Sequence, residues 1–93
     1  ATAGIEAPSA VDPSCTLKAG VQIINSVVSR NCYIEERARI ENSVVRGGTR
    51  VGAGSTVQGA VIGKSCHIGR AVEIKGAVLG DKSVVTDYSQ VGP

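Results

Sequence analysis

Aliphatic residues recur along this chain with a period of 17, and the recurrence defines the fold before any single motif is considered. Val11, Val28, Val45, Ile62 and Leu79 form one column at that spacing; Leu17, Ile34, Val51, Ile68 and Val85 form a second; Ile23, Ile40, Val57, Ile74 and Val91 form a third. Within each repeat they are separated by six, six and five residues, which gives three short sides and three corners. Two positions before each aliphatic stands a small or β-branched residue. These are Cys15, Cys32, Thr49, Cys66 and Ser83 on one side, Val21, Ala38, Ser55, Val72 and Ser89 on the next, and Ser26, Ser43, Ala60 and Ala77 on the third. Strand alternation turns both members of each pair inward, so the pattern predicts a triangular coil of parallel strands.

The short side carries a stereochemical signature. Asn25, Asn42, Gly59 and Gly76 precede its inward residues, and Asn and Gly are the residue types that most readily take a left-handed backbone. A corner one residue shorter than the others must turn on that residue, which predicts positive φ at Asn42 and Gly59. Gly52, Gly54, Gly63, Gly69 and Gly80 fall at corners or just after an inward aliphatic, where a flexible linker would not keep register. The expected architecture is all-β: a single-stranded parallel β-helix of about five rungs over residues 11–93, with residues 1–10 as a lead-in or partial rung.

Composition narrows the interior. Hydrophobic residues make up 42% of the chain, yet Phe, Trp and Met are absent and Tyr33 and Tyr88 are the only aromatics, so the core must be narrow and built of Val, Ile and Ala. A net charge of +2 without aromatic stacking platforms argues against a nucleic-acid surface. The apolar runs are too short to span a membrane and no signal peptide opens the chain, which points to a soluble, cytoplasmic protein. The chain begins without Met and stops at Val91-Gly92-Pro93 in mid-pattern, as expected of a segment of a longer protein.

Candidate chemistry is sparse. His67 is the only histidine; it immediately precedes the inward Ile68 and so faces outward, where a single imidazole cannot build a metal site. Cys15, Cys32 and Cys66 share an inward column with Thr49 and Ser83, so small size is the common requirement, and free buried thiols are expected although rung spacing would permit a Cys15–Cys32 bridge. No catalytic residue, metal site or cofactor is expected within the chain. Arg30, Arg46 and Arg50 gather near one corner and are candidates for an anionic effector. Val27, Val44, Val61 and Val78 form an outward column beside the first inward one, an apolar stripe on an otherwise polar solenoid and the candidate interface.

Units such as Ile34-Glu-Glu-Arg-Ala38-Arg, Ile62-Gly-Lys-Ser-Cys66-His and Ile68-Gly-Arg-Ala-Val72-Glu resemble the hexapeptide repeat of left-handed β-helix proteins, and the resemblance supplies the handedness. The five-residue side, as in Ile40-Glu-Asn-Ser-Val44-Val45 and Val57-Gln-Gly-Ala-Val61-Ile62, resembles the carboxy-terminal β-helix of sugar-nucleotide pyrophosphorylases of the ADP-glucose and GDP-mannose type. That resemblance implies a non-catalytic module for oligomerisation, docking or regulation of a nucleotidyltransferase, with a second copy or an absent catalytic domain as partner. Gly47-Gly48-Thr49-Arg50-Val51 echoes the nucleotide loop of such catalytic domains, but the rung register already explains it. The alternatives are a fragment of a hexapeptide acyltransferase with His67 as general base, and a purely structural interaction solenoid.

Overall fold

The computed structural model describes residues 3–92 and contains sixteen strands in three parallel sheets. One sheet stacks Gly4–Glu6, Gln22–Ile24, Arg39–Glu41, Thr56–Gln58, Glu73–Lys75 and Gln90–Val91. A second stacks Ala10–Val11, Val27–Val28, Val44–Val45, Val61–Ile62 and Val78–Leu79. The third stacks Thr16–Leu17, Tyr33–Ile34, Arg50–Val51, His67–Ile68 and Val84–Val85. The chain visits the three sheets in turn, so it is a β-solenoid of about 5 turns with about 17 residues per turn. Pairings such as Ile34↔Val51 and Ile68↔Val85 keep that register throughout. Gly4–Glu6 pairs in register with Gln22–Ile24, so residues ahead of Ala10 already take part in a sheet.

The core is the predicted set of columns. In the inner rungs Val28, Ile34, Ile40, Val45, Val51, Val57, Ile62, Ile68 and Ile74 are buried, and towards the two ends Val11, Leu17, Leu79 and Val91 pack against them partly exposed. That gradient is the ordinary consequence of a coil in which each rung covers only its neighbours.

All four short-corner residues have positive φ: Asn25 48°, Asn42 49°, Gly59 57° and Gly76 59°. The other two corners do so as well, at Gly20, Asn31, Arg37, Gly48, Gly54, Ser65, Ala71, Lys82 and Tyr88. The longer corners thus turn through the left-handed region with almost any residue type, which the sequence pattern does not reveal. Hydrogen bonding along the stack accompanies the conformation at all three corners, the short one included, where Asn42, Gly59 and Gly76 donate to Ile24, Glu41 and Gln58. From Arg37 onward, each such residue donates its N–H to a carbonyl one rung below, as in Arg37 to Ala19 at 3.0 Å, Ser65 to Gly47 at 2.9 Å, Ala71 to Ala53 at 2.9 Å and Lys82 to Lys64 at 2.8 Å. That bond holds side-chain-bearing residues in a conformation that is locally unfavourable. Ala71 is exposed with φ 53°, so Ala71→Gly is expected to stabilise the fold by about 0.5–1 kcal/mol, read as a higher urea midpoint at unchanged slope.

The small inward residues are more than fillers. Ser43 Oγ donates to the Glu41 carbonyl at 2.7 Å and accepts from Ala60 N–H at 3.1 Å; Thr49 Oγ1 donates to Gly63 O at 2.7 Å and accepts from Cys66 N–H at 3.2 Å; Ser55 Oγ donates to Gly69 O at 2.7 Å and accepts from Val72 N–H at 3.1 Å. Each hydroxyl therefore satisfies a corner amide of the rung above that would otherwise be buried without a partner. The three cysteines are free, and Cys15, Cys32 and Cys66 point their thiols at the carbonyls of Ser29, Arg46 and Gly80 at 2.8, 3.2 and 3.2 Å. Burial pushes the Cys32 thiol up to about 11, which keeps it protonated as a donor near neutral pH.

Candidate functional site

The outward residues sort onto three faces. On the second sheet Val27, Val44, Val61 and Val78 stand directly above one another, at 44%, 36%, 39% and 78% exposure. Parallel pairing without a stagger is what turns four separated valines into one continuous stripe. Beside it, Asn25 Nδ2 donates to Asn42 Oδ1 at 2.7 Å, so the lower half of the stripe is edged by a polar pair at the short corner, which continues as Gly59 and Gly76.

The next corner forms a shallow open groove. Arg30, Arg46 and Lys64 line it together with Asp12, Ser29 and Asn31, and its wall includes Val27. None of these three cations makes an ion pair among the described residues. Asp12 Oδ1 accepts from the Ser14 hydroxyl at 2.6 Å and the Ser14 N–H at 3.0 Å; those bonds, and more weakly the charge of Arg30, hold its carboxyl below the ordinary range.

Arg50 is on the following side, apart from Arg30 and Arg46. It pairs with Glu35 at 2.8 Å and lies 4.7 Å from the Tyr33 ring centroid, while Lys18 Nζ lies 5.5 Å from the same ring. Its guanidinium is thus engaged by a carboxylate and a π-face. The structure therefore joins two of the three arginines expected to act together and replaces the third with Lys64. That lysine was legible in principle: residues 30 and 64 differ by two repeats, so one column contains both.

His67 is exposed on the same side as Arg50, beside Asp87 in a shallow depression. Asp87 Oδ1 accepts from Arg70 N–H at 2.8 Å, and this bond is the main cause that lowers its carboxyl below the usual value. Asp81 does the equivalent one corner earlier, accepting from Lys64 N–H at 2.8 Å. Among the described residues no group of three or more His, Cys, Asp and Glu is placed to hold a metal ion. No helix of the described chain is long and apolar enough to cross a membrane.

A triangular coil of parallel 17-residue rungs built from hexapeptide units makes this a left-handed β-helix of the hexapeptide-repeat class. Within that class the chain belongs to the family described as GMPPB C-terminal domain, whose model matches residues 5–92. Solved structures share the fold. The CcmM N-terminal domain, crystallised in complex with CcmN, superposes with a TM-score of 0.85 at 12% identity, covering 97% of both chains. The acetyltransferase domain of PglB from Neisseria gonorrhoeae FA1090 gives a TM-score of 0.69 at 20% identity over 97% of this chain and 54% of that one. A mutant GDP-perosamine N-acetyl transferase from Caulobacter crescentus, in complex with CoA and GDP-perosamine, gives 0.54 at 22% identity over 96% of this chain and 54% of that one. The chain spans about half the length of these two acetyltransferase chains. No curated protein matches it.

Proposed function

We propose that this β-helix is a non-catalytic assembly module of a sugar-nucleotide pyrophosphorylase-like nucleotidyltransferase, and that it associates with a second copy of itself through the valine ladder. The observation that carries the reading is the unbroken column Val27–Val44–Val61–Val78, whereas the other large exposed apolar side chains described, Ile5, Val84 and Tyr88, do not stack into such a column. Family membership supports the module, and the geometry supports the contact, because a flat β-branched face buries apolar area without rearrangement. Two such faces related by a two-fold axis are self-complementary, which is how most soluble homo-oligomers close. In this reading nucleotidyl transfer belongs to another domain, and the β-helix sets how copies are arranged.

Sedimentation of the chain at high micromolar concentration tests the proposal. The unmodified chain is expected to associate, and Val44→Lys with Val61→Lys to sediment as monomer with its fold intact by circular dichroism. A wild-type chain that stays monomeric, or a double variant that associates as before, refutes the valine ladder as the self-association surface.

A further inference from the structure

We infer that the corner of Arg30, Arg46, Gly47 and Lys64 is a binding site for a phosphate-type oxyanion. The backbone amides of this column and its counterpart at the next corner point outward and, among the described residues, are capped only where an acid stands one rung above. At two corners the amide following an inward-side glycine is taken by an aspartate from the rung above, Lys64 N–H by Asp81 and Arg70 N–H by Asp87, both at 2.8 Å. The residue one rung above Gly47 is Lys64, a cation, and Gly47 N–H has no acceptor among the described residues. This open donor stands among Arg30, Arg46 and Lys64.

The missing side chain at Gly47 shapes the site. A Cβ there would stand 3.2 Å from the Arg30 carbonyl oxygen and 3.6 Å from Arg30 Cγ, so the aliphatic stem of Arg30 lies alongside the bare backbone. Arg30 therefore comes from the rung below, Arg46 adjoins Gly47 in the chain, and Lys64 comes from the rung above. Ser29 and Asn31 add neutral hydrogen-bonding groups to the lining. The carboxylate in the groove, Asp12, is hydrogen-bonded to Ser14, and Asp81 caps the Lys64 amide from the rung above, so the side chains of all three cations are left without an ion-pair partner among the described residues. Guanidinium forks and an ammonium around an open amide match the several acceptor oxygens of a phosphoryl group better than a single carboxylate. Three cations around one corner match a ligand presenting one or two phosphoryl groups.

The proposal does not depend on the valine ladder. Its test is a titration of the full chain with inorganic phosphate and, separately, pyrophosphate at fixed ionic strength, followed by amide nuclear magnetic resonance shifts. The Gly47 and Arg30 amides are expected to move saturably, and Arg30→Gln or Lys64→Gln to weaken binding about tenfold, since each removes a charge-assisted contact. Lys75→Gln lowers the net charge equally but lies on a different sheet, and is expected to leave binding unchanged. Pyrophosphate binding more tightly than phosphate would identify a diphosphate ligand, and equal binding a single phosphoryl group. No saturable shift at Gly47, or equal weakening by Lys75→Gln and Lys64→Gln, overturns the site. Because Val44→Lys with Val61→Lys should still bind the anion, failure of the assembly reading and failure of this one are distinguishable.

Discussion

Ile68→Ala is expected to destabilise the coil by about 2–5 kcal/mol, whereas His67→Ala, one residue earlier in the same strand, changes stability by less than about 0.5 kcal/mol. Ile68 is 1% exposed and stacks between Val51 below and Val85 above. Truncating it leaves a void that the two neighbouring rungs cannot close, because their backbones are fixed by hydrogen bonds on all three sides. His67 shares every backbone bond of that strand but points to solvent. Ile34→Ala should behave like Ile68→Ala, since Ile34 is fully buried between Leu17 and Val51. Urea denaturation at unchanged slope measures both effects. Equal losses at positions 67 and 68 would mean that the inward and outward faces are wrongly assigned.

The columns were readable because a one-residue slip would move each side chain to the opposite face, so the aliphatic positions keep strict register. The short corner was readable for a related reason. A turn made on one residue leaves no neighbour to share the distortion, and Asn25, Asn42, Gly59 and Gly76 are what remains. The longer corners hide the same conformation behind Arg37, Ser65, Ala71, Lys82 and Tyr88; the inter-rung hydrogen bond is common to all three corners and leaves no trace in residue type. The inward Ser, Thr and Cys read as small, and only the structure shows that their hydroxyls and thiols bond the corner backbone. The arginine gathering misled in one respect. Arg46 and Arg50 are close in sequence but fall either side of the corner residues Gly47 and Gly48, whereas Arg30 and Lys64 are far apart in sequence and share a column.

Gly52→Ala is expected to be among the most damaging single-methyl additions in the chain, at or above the about 1–3 kcal/mol usual for overpacking. A Cβ at Gly52 would stand 2.4 Å from both the carbonyl carbon and the carbonyl oxygen of Gly69, and 2.8 Å from Arg70 N. These are backbone atoms of the next rung, so no side chain can swing aside, and the stack itself must open. Gly54, two residues on, is a glycine for a different reason: its φ is +72°, and nothing lies within 4 Å of a Cβ built there. Gly54→Asn should therefore be nearly neutral and Gly54→Ala should cost about 1 kcal/mol, both through backbone conformation alone. The repeat pattern does not separate the two cases, since the slot of Gly52 is filled by Lys18, Glu35 and Thr86 in other rungs. What distinguishes Gly52 is the local approach of two rungs, a distance that no column of residue types records. Thermal or urea unfolding of the three variants decides the matter: a Gly52→Ala protein as stable as Gly54→Ala would show that the rungs can separate at that corner without loss, and that the close contact with Gly69 does not hold the stack together.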